Sequence, residues 1–93
     1  MRFEWDDEKA RINQQKHHVS FETAREVFAD PLHRSVQDRI EDGEQRWNTI
    51  GMVGGVVLLI VAHTWRDDHG DEVIRIISAR KATKKERRDY ERG

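Results

Sequence analysis

The chain has 93 residues, 38% charged and 35% hydrophobic, with no cysteine and a net charge of −1. That length suits one small domain, 1–93, with a modest core. Without cysteine there are no disulfides and no thiolate-ligated zinc or iron–sulfur centres, and the ten-residue apolar run Val53–Ala62 is too short to span a bilayer as a helix.

The N-terminus, MRFEWDDEKA, has acids where a secretory signal needs an apolar run, so no signal and a cytoplasmic location are expected. Asp6 is a helix cap, with Asp7 and Glu8 in the first turn, and predicts a helix over about 6–16. Trp5 before that cap is placed to staple onto Ala10. Ser20 caps a second helix, about 21–29, whose Phe21, Ala24, Val27 and Phe28 recur at helical spacing. Asp30-Pro31 ends it, because proline disfavours helix at the preceding residue.

Strands follow. HRSVQDRI is a polar edge strand, and Asp42-Gly43 turns the chain into EQRWNTIGMV. Gly54-Gly55, flanked by Val53 and Val56, forms the next turn. VVLLIVAHTW reads as a central strand, RDDHGD as a turn and EVIRIISAR as the fourth strand. Short turns predict antiparallel neighbours throughout. Thr83 and Glu86 form a capping box that opens a last helix over about 84–92. The fold class is therefore α+β: two N-terminal helices packed on a four-stranded antiparallel meander sheet, then a C-terminal helix.

Charge is unevenly placed. Residues 73–93 carry eight Lys or Arg against three acids, whereas residues 1–72 carry nine against fifteen. A basic pole on an acidic body suits an anionic partner, although a solvated helix surface has the same composition.

Three constellations carry candidate chemistry. Lys9, Asn13 and His17 lie four apart on one helix face, with Lys16 beside them. Ammonium, amide and imidazole there can hold a phosphate and move a proton, and a plain solvated face is the simpler alternative. Glu44 and Arg46 alternate on one strand face, as base and phosphate clamp or as a surface ion pair. The third is VIRIISARK. In a regular strand Arg75 and Arg80 point to opposite faces, so one guanidinium projects from an apolar face and needs an anion. Arg80, Lys81, Arg87 and Tyr90 can converge at the strand end, while Arg75 alternatively staples the sheet through an acid.

Other motifs are lacking. GMVGG has no following Lys-Ser/Thr and is no P-loop. The five histidines show no tight metal spacing, and no metal or cofactor is expected. Three readings remain open on these grounds: an enzyme acting on RNA, a non-catalytic nucleic-acid-binding module, or an interaction protein whose arginines meet an acidic peptide.

FEWDDEKARINQQKH, VSFETAREVFADP, EQRWNTIG and RIISARKATKKERRDYE, in this order, resemble the BrnT family of type II toxin–antitoxin toxins. One departure is His18, where the family usually has Gly after the Lys-His pair; a different end to the first helix is expected there. The resemblance implies a RelE-like fold and a translation-inhibiting ribonuclease. It also implies neutralisation by a BrnA-type ribbon-helix-helix antitoxin, with operator DNA contacted only through that antitoxin and no membrane partner. Metal-free attack of the RNA 2′-hydroxyl then assigns His17, Glu44, Arg46 and Arg80 as catalytic. Lys16, Arg75, Lys81, Arg87 and Tyr90 are assigned to RNA or phosphate binding. Arg46, Arg80 and Lys81 are expected to gather on one phosphate.

Overall fold

Local hydrogen bonding starts every helix. In the computed structural model, which describes Met1 to Gly93, Asp6 accepts from the main-chain N–H of Glu8 and Lys9 and starts α1 (Asp7–His17). Ser20 accepts from Thr23 N–H and starts α2 (Phe21–Ala24), which tightens into a 3-10 turn over Arg25–Ala29. The reciprocal bonds of Thr83 and Glu86 start α3 (Lys84–Arg92). His18 ends α1 in the left-handed conformation, φ 59° and ψ 32°, and donates its N–H to Gln14 O. A histidine thus does what a glycine would at that stop, and the helix does not end differently for lacking one.

The expected all-antiparallel, four-stranded meander is corrected to a five-stranded mixed sheet. β1 (Arg2–Glu4), β2 (Arg34–Glu41), β3 (Glu44–Val53), β4 (Val57–Asp68) and β5 (Asp71–Lys81) lie in the order β1-β5-β4-β3-β2. β2 to β5 form the meander, and β1 adds to it parallel to β5, with Arg2, Phe3 and Glu4 opposite Val73, Ile74 and Arg75. Two turns differ in length from expectation. Val56 joins Gly54-Gly55 in a three-residue loop, while β4 and β5 run through RDDHGD and leave only His69-Gly70 between them. Both of those turn residues have positive φ, 53° and 87°, which matches the twist of a tight hairpin.

The core lies between α2 with its 3-10 turn and one face of the sheet. Phe21, Val27, Leu59, Val61, Ile74 and Ile76 are essentially inaccessible, and each such side chain contributes ~1.5–3 kcal/mol on burial. Trp5 stands edge-on to Phe21 with ring centroids 5.9 Å apart. Gly51 lets the 3-10 turn come down on β3: a Cβ there would lie 2.7 Å from Val27 Cγ1 and 2.8 Å from Val27 O.

α1 covers the half of the β5 edge that β1 leaves open. Buried Asn13 donates to Ala79 O and accepts from Ala79 N, at 2.9 and 3.0 Å, and also donates to Val19 O. Asn13 is a structural amide, so the expected functional face of α1 reduces to Lys9, Lys16 and His17. α3 has no buried residue. Arg80 grips Glu86, Arg34 donates to Asp89 O, and Tyr90 Oη donates to Asp30 Oδ2 at 2.6 Å. No helix is long and apolar enough to cross a membrane.

Candidate functional site: an arginine pair on the open sheet face

Strand parity separates Arg75 from Arg80, but β5 is not regular. Between β4 and β5 the register jumps: Ala62 faces Ser78, whereas the next residue, His63, faces Ile76. Ile77 is an extra residue, a β-bulge. It turns residues 71–76 over relative to 78–81. Arg75 lies opposite Thr64 and Arg80 opposite Ile60, and Thr64 and Ile60 are four apart on β4, so both arginines occupy the face away from α2.

Arg46 shares that face. It is opposite Thr64 from the other side, so Arg46 and Arg75 flank Thr64 with backbones about 10 Å apart. Their side chains line one hollow of about 260 Å³ together with Asp6 and Lys9 at the start of α1. Arg75 bonds Glu44 Oε1 at 2.5 Å, so Glu44 and Arg46 do point to one face and Arg75 does pair with an acid. Arg46 reaches Glu41 at 3.2 Å. The hydrogen bond from Arg39, followed by the charges of Arg46 and Arg39, holds the Glu41 carboxyl below its ordinary range; Lys9 adds a smaller pull.

Two buried side-chain polar atoms have no hydrogen-bond partner, Arg46 Nε and Thr64 Oγ1, and they belong to directly paired residues. Buried polar atoms are nearly always partnered, because an orphan costs ~1–3 kcal/mol. Here both orphans fall within one arginine cluster. A second hollow of about 260 Å³ adjoins it, sharing Lys9 and Ile77, and is lined by Lys16, His17 and Ser78. His17 is the last residue of α1 and half-buried; Lys16 is exposed.

The expected convergence of Arg46, Arg80 and Lys81 on one phosphate is not found. Lys81 pairs with Leu59, on the helix-covered face, and lines a separate hollow with His18. Arg80 is on the open face but forked onto both Glu86 oxygens at 2.9 Å. Arg87 lines none of the hollows. The Tyr90 hydroxyl is committed to Asp30, which also accepts from Met52 N and Leu32 N. Burial pushes the Asp30 carboxyl up, but these hydrogen bonds outweigh it and the net displacement is downward. Thr64 was not legible as a site residue, since its place between two arginines depends on the bulge. No three His, Asp or Glu side chains gather closely enough to hold a metal ion.

Residues 5–86 match the family described as "Ribonuclease toxin, BrnT, of type II toxin-antitoxin system". Curated proteins give no match. Among solved structures, the chain is similar to the crystal structure of the Brucella abortus ribonuclease toxin, BrnT. The TM-score is 0.64 at 25% identity, over 90% of this chain and 99% of that one. The chain therefore belongs to the BrnT family of ribonuclease toxins of type II toxin–antitoxin systems.

Proposed function

We propose that residues 1–93 act as one toxin domain that cleaves RNA without a metal, and that the scissile phosphate sits over Arg46 and Arg75. The observation that carries this is the orphaned pair, Arg46 Nε and Thr64 Oγ1, beside a hollow lined by Arg46, Arg75 and Lys9. A phosphate that draws the Arg46 fork away from Glu41 gives Nε–H an acceptor and neutralises the gathered cations.

The chemistry follows from the residues at hand. Glu44, held by Arg75, accepts the proton of the 2′-hydroxyl, whose oxygen attacks phosphorus. Arg46, Arg75 and Lys9 hold the non-bridging oxygens as negative charge grows on them. His17, next door with Lys16, returns a proton to the departing 5′-oxygen. The products are a 2′,3′-cyclic phosphate and a 5′-hydroxyl. Arg80 acts here through α3, by holding Glu86, and Lys81, Arg87 and Tyr90 lie outside the reacting group. In the cell this reading implies a cytoplasmic, RelE-like inhibitor of translation. Its BrnA-type ribbon-helix-helix antitoxin covers the arginine hollow and itself contacts operator DNA.

The test is labelled RNA incubated with the protein in excess EDTA. Cutting should persist, fall at least ~100-fold in Arg46→Ala and Arg75→Ala, and stay within a few-fold in Lys81→Ala. An intact but shifted RNA band would assign a binding module instead. Expression alone should arrest growth, and co-expressed antitoxin should restore it.

A further inference from the structure

The largest hollow, about 360 Å³, opens on the same sheet face as the arginine pair. Val36, Ile50 and Ile60 form its apolar floor, and Arg34 and Arg80 stand at its rim. α3 closes one side, held by the Arg80–Glu86 fork and by Arg34 on Asp89 O. Asn48 lines it as well. It lies two residues from Arg46 on β3, so the two side chains share a face about 7 Å apart along the strand. Asn48 is half-buried, and its amide makes no hydrogen bond within the chain.

An apolar floor with a few converging polar groups is the form of a small-ligand site. Unstacked RNA bases are recognised by apolar or guanidinium surfaces against their faces and by amides along their edges. An amide offers a donor and an acceptor side by side, which matches the N6/N7 edge of adenine and mismatches the two-acceptor O6/N7 edge of guanine. The hollow, about 360 Å³ and walled on one side by Glu86 and Asp89 of α3, suits a single planar group better than an extended peptide.

We propose that this hollow is a base-recognition subsite, holding the nucleobase beside the cleaved linkage, with Asn48 as the residue that determines specificity. The proposal rests on the phosphate position given above. Asn48 touches the base and leaves the reacting atoms alone.

A randomised RNA pool separates the possibilities, cut by the wild type, Asn48→Ala and the near-isosteric Asn48→Asp, with cut sites sequenced and folding checked by circular dichroism. The wild type should favour one base at a fixed position from the cut. Asn48→Ala should flatten that preference about tenfold or more, and Asn48→Asp should change the favoured base. Unchanged preference in both folded variants overturns the subsite while leaving the ribonuclease intact. Variants with unchanged preference but weakened antitoxin binding assign the hollow to a protein partner and also overturn it. No cutting by the wild type overturns the ribonuclease reading and the subsite with it.

Discussion

The side chain of Asn13 pairs with the main chain of Ala79 in both directions, as a neighbouring strand would. Its Nδ2 also reaches Val19 O, so one amide ties α1, the following loop and β5 together. Asn13→Ala strands the Ala79 N–H and two carbonyls away from water. The expected loss is ~2–4 kcal/mol, read as a lower urea midpoint with an unchanged slope. A loss below about 0.5 kcal/mol would show that α1 is held chiefly by its apolar contacts.

Gly51→Ala places a methyl group against both the side chain and the carbonyl of Val27. Backbone cannot turn aside as a flexible side chain does. The 3-10 turn should lift from β3 at a cost of ~1–3 kcal/mol, visible as a lower melting temperature. Adding Val27→Ala should recover only part of it, since the carbonyl clash remains.

His18→Gly relieves a left-handed residue that has a Cβ. The expected gain is about 0.5–1 kcal/mol in thermal or urea unfolding. A neutral or destabilising result would mean that the His18 side chain contributes more than its backbone costs.

His63 is wholly buried; Thr49 Oγ1 lies 2.7 Å from Nε2 and Thr64 O lies 3.0 Å from Nδ1. A carbonyl only accepts, so Nδ1 carries the proton, Nε2 accepts from Thr49, and Thr49 accepts from Ser35. Burial pushes the imidazole below its ordinary pKa. Below about pH 6.5 the unfolded chain therefore binds a proton that the folded chain refuses, and stability falls as the pH drops. Melting temperatures between pH 5 and 8 should show this slope, and His63→Gln should flatten it.

Glu86 titrates lower, at about 2, chiefly because Arg80 hydrogen-bonds it. Its folded pKa is depressed, so its contribution is present above about pH 4.5 and is lost as the pH falls toward 2. Glu86→Gln keeps a capping partner for Thr83 but loses the charge that Arg80 grips. It should loosen α3 by about 1 kcal/mol and speed amide exchange there, with the sheet unaffected.

What could be read from residues alone was what residues decide locally. Asp6, Ser20 and the Thr83–Glu86 pair start helices through bonds spanning three residues, and Asp42-Gly43 turns because its φ values are positive. β1 was hidden because three residues show no periodicity and its partner lies some seventy positions away. The site was half-visible for a related reason. Glu44, Arg46 and Arg75 were named, but placing Arg80 and Lys81 beside them assumed that consecutive residues at a strand end can act together. Register puts those two on opposite faces, and Glu86 takes Arg80.

The extra residue at Ile77 makes this arginine-lined surface a matter of counting. Substitutions around it change one contact at a time, but pairing the same residues as a regular strand, without the bulge, would invert six positions at once. Arg75 would then turn inward and Ile74 and Ile76 outward. Which side chains meet solvent on β5 is thus set by one unpaired residue, and removing Ile77 itself would leave Arg75 and Arg80 on the same side.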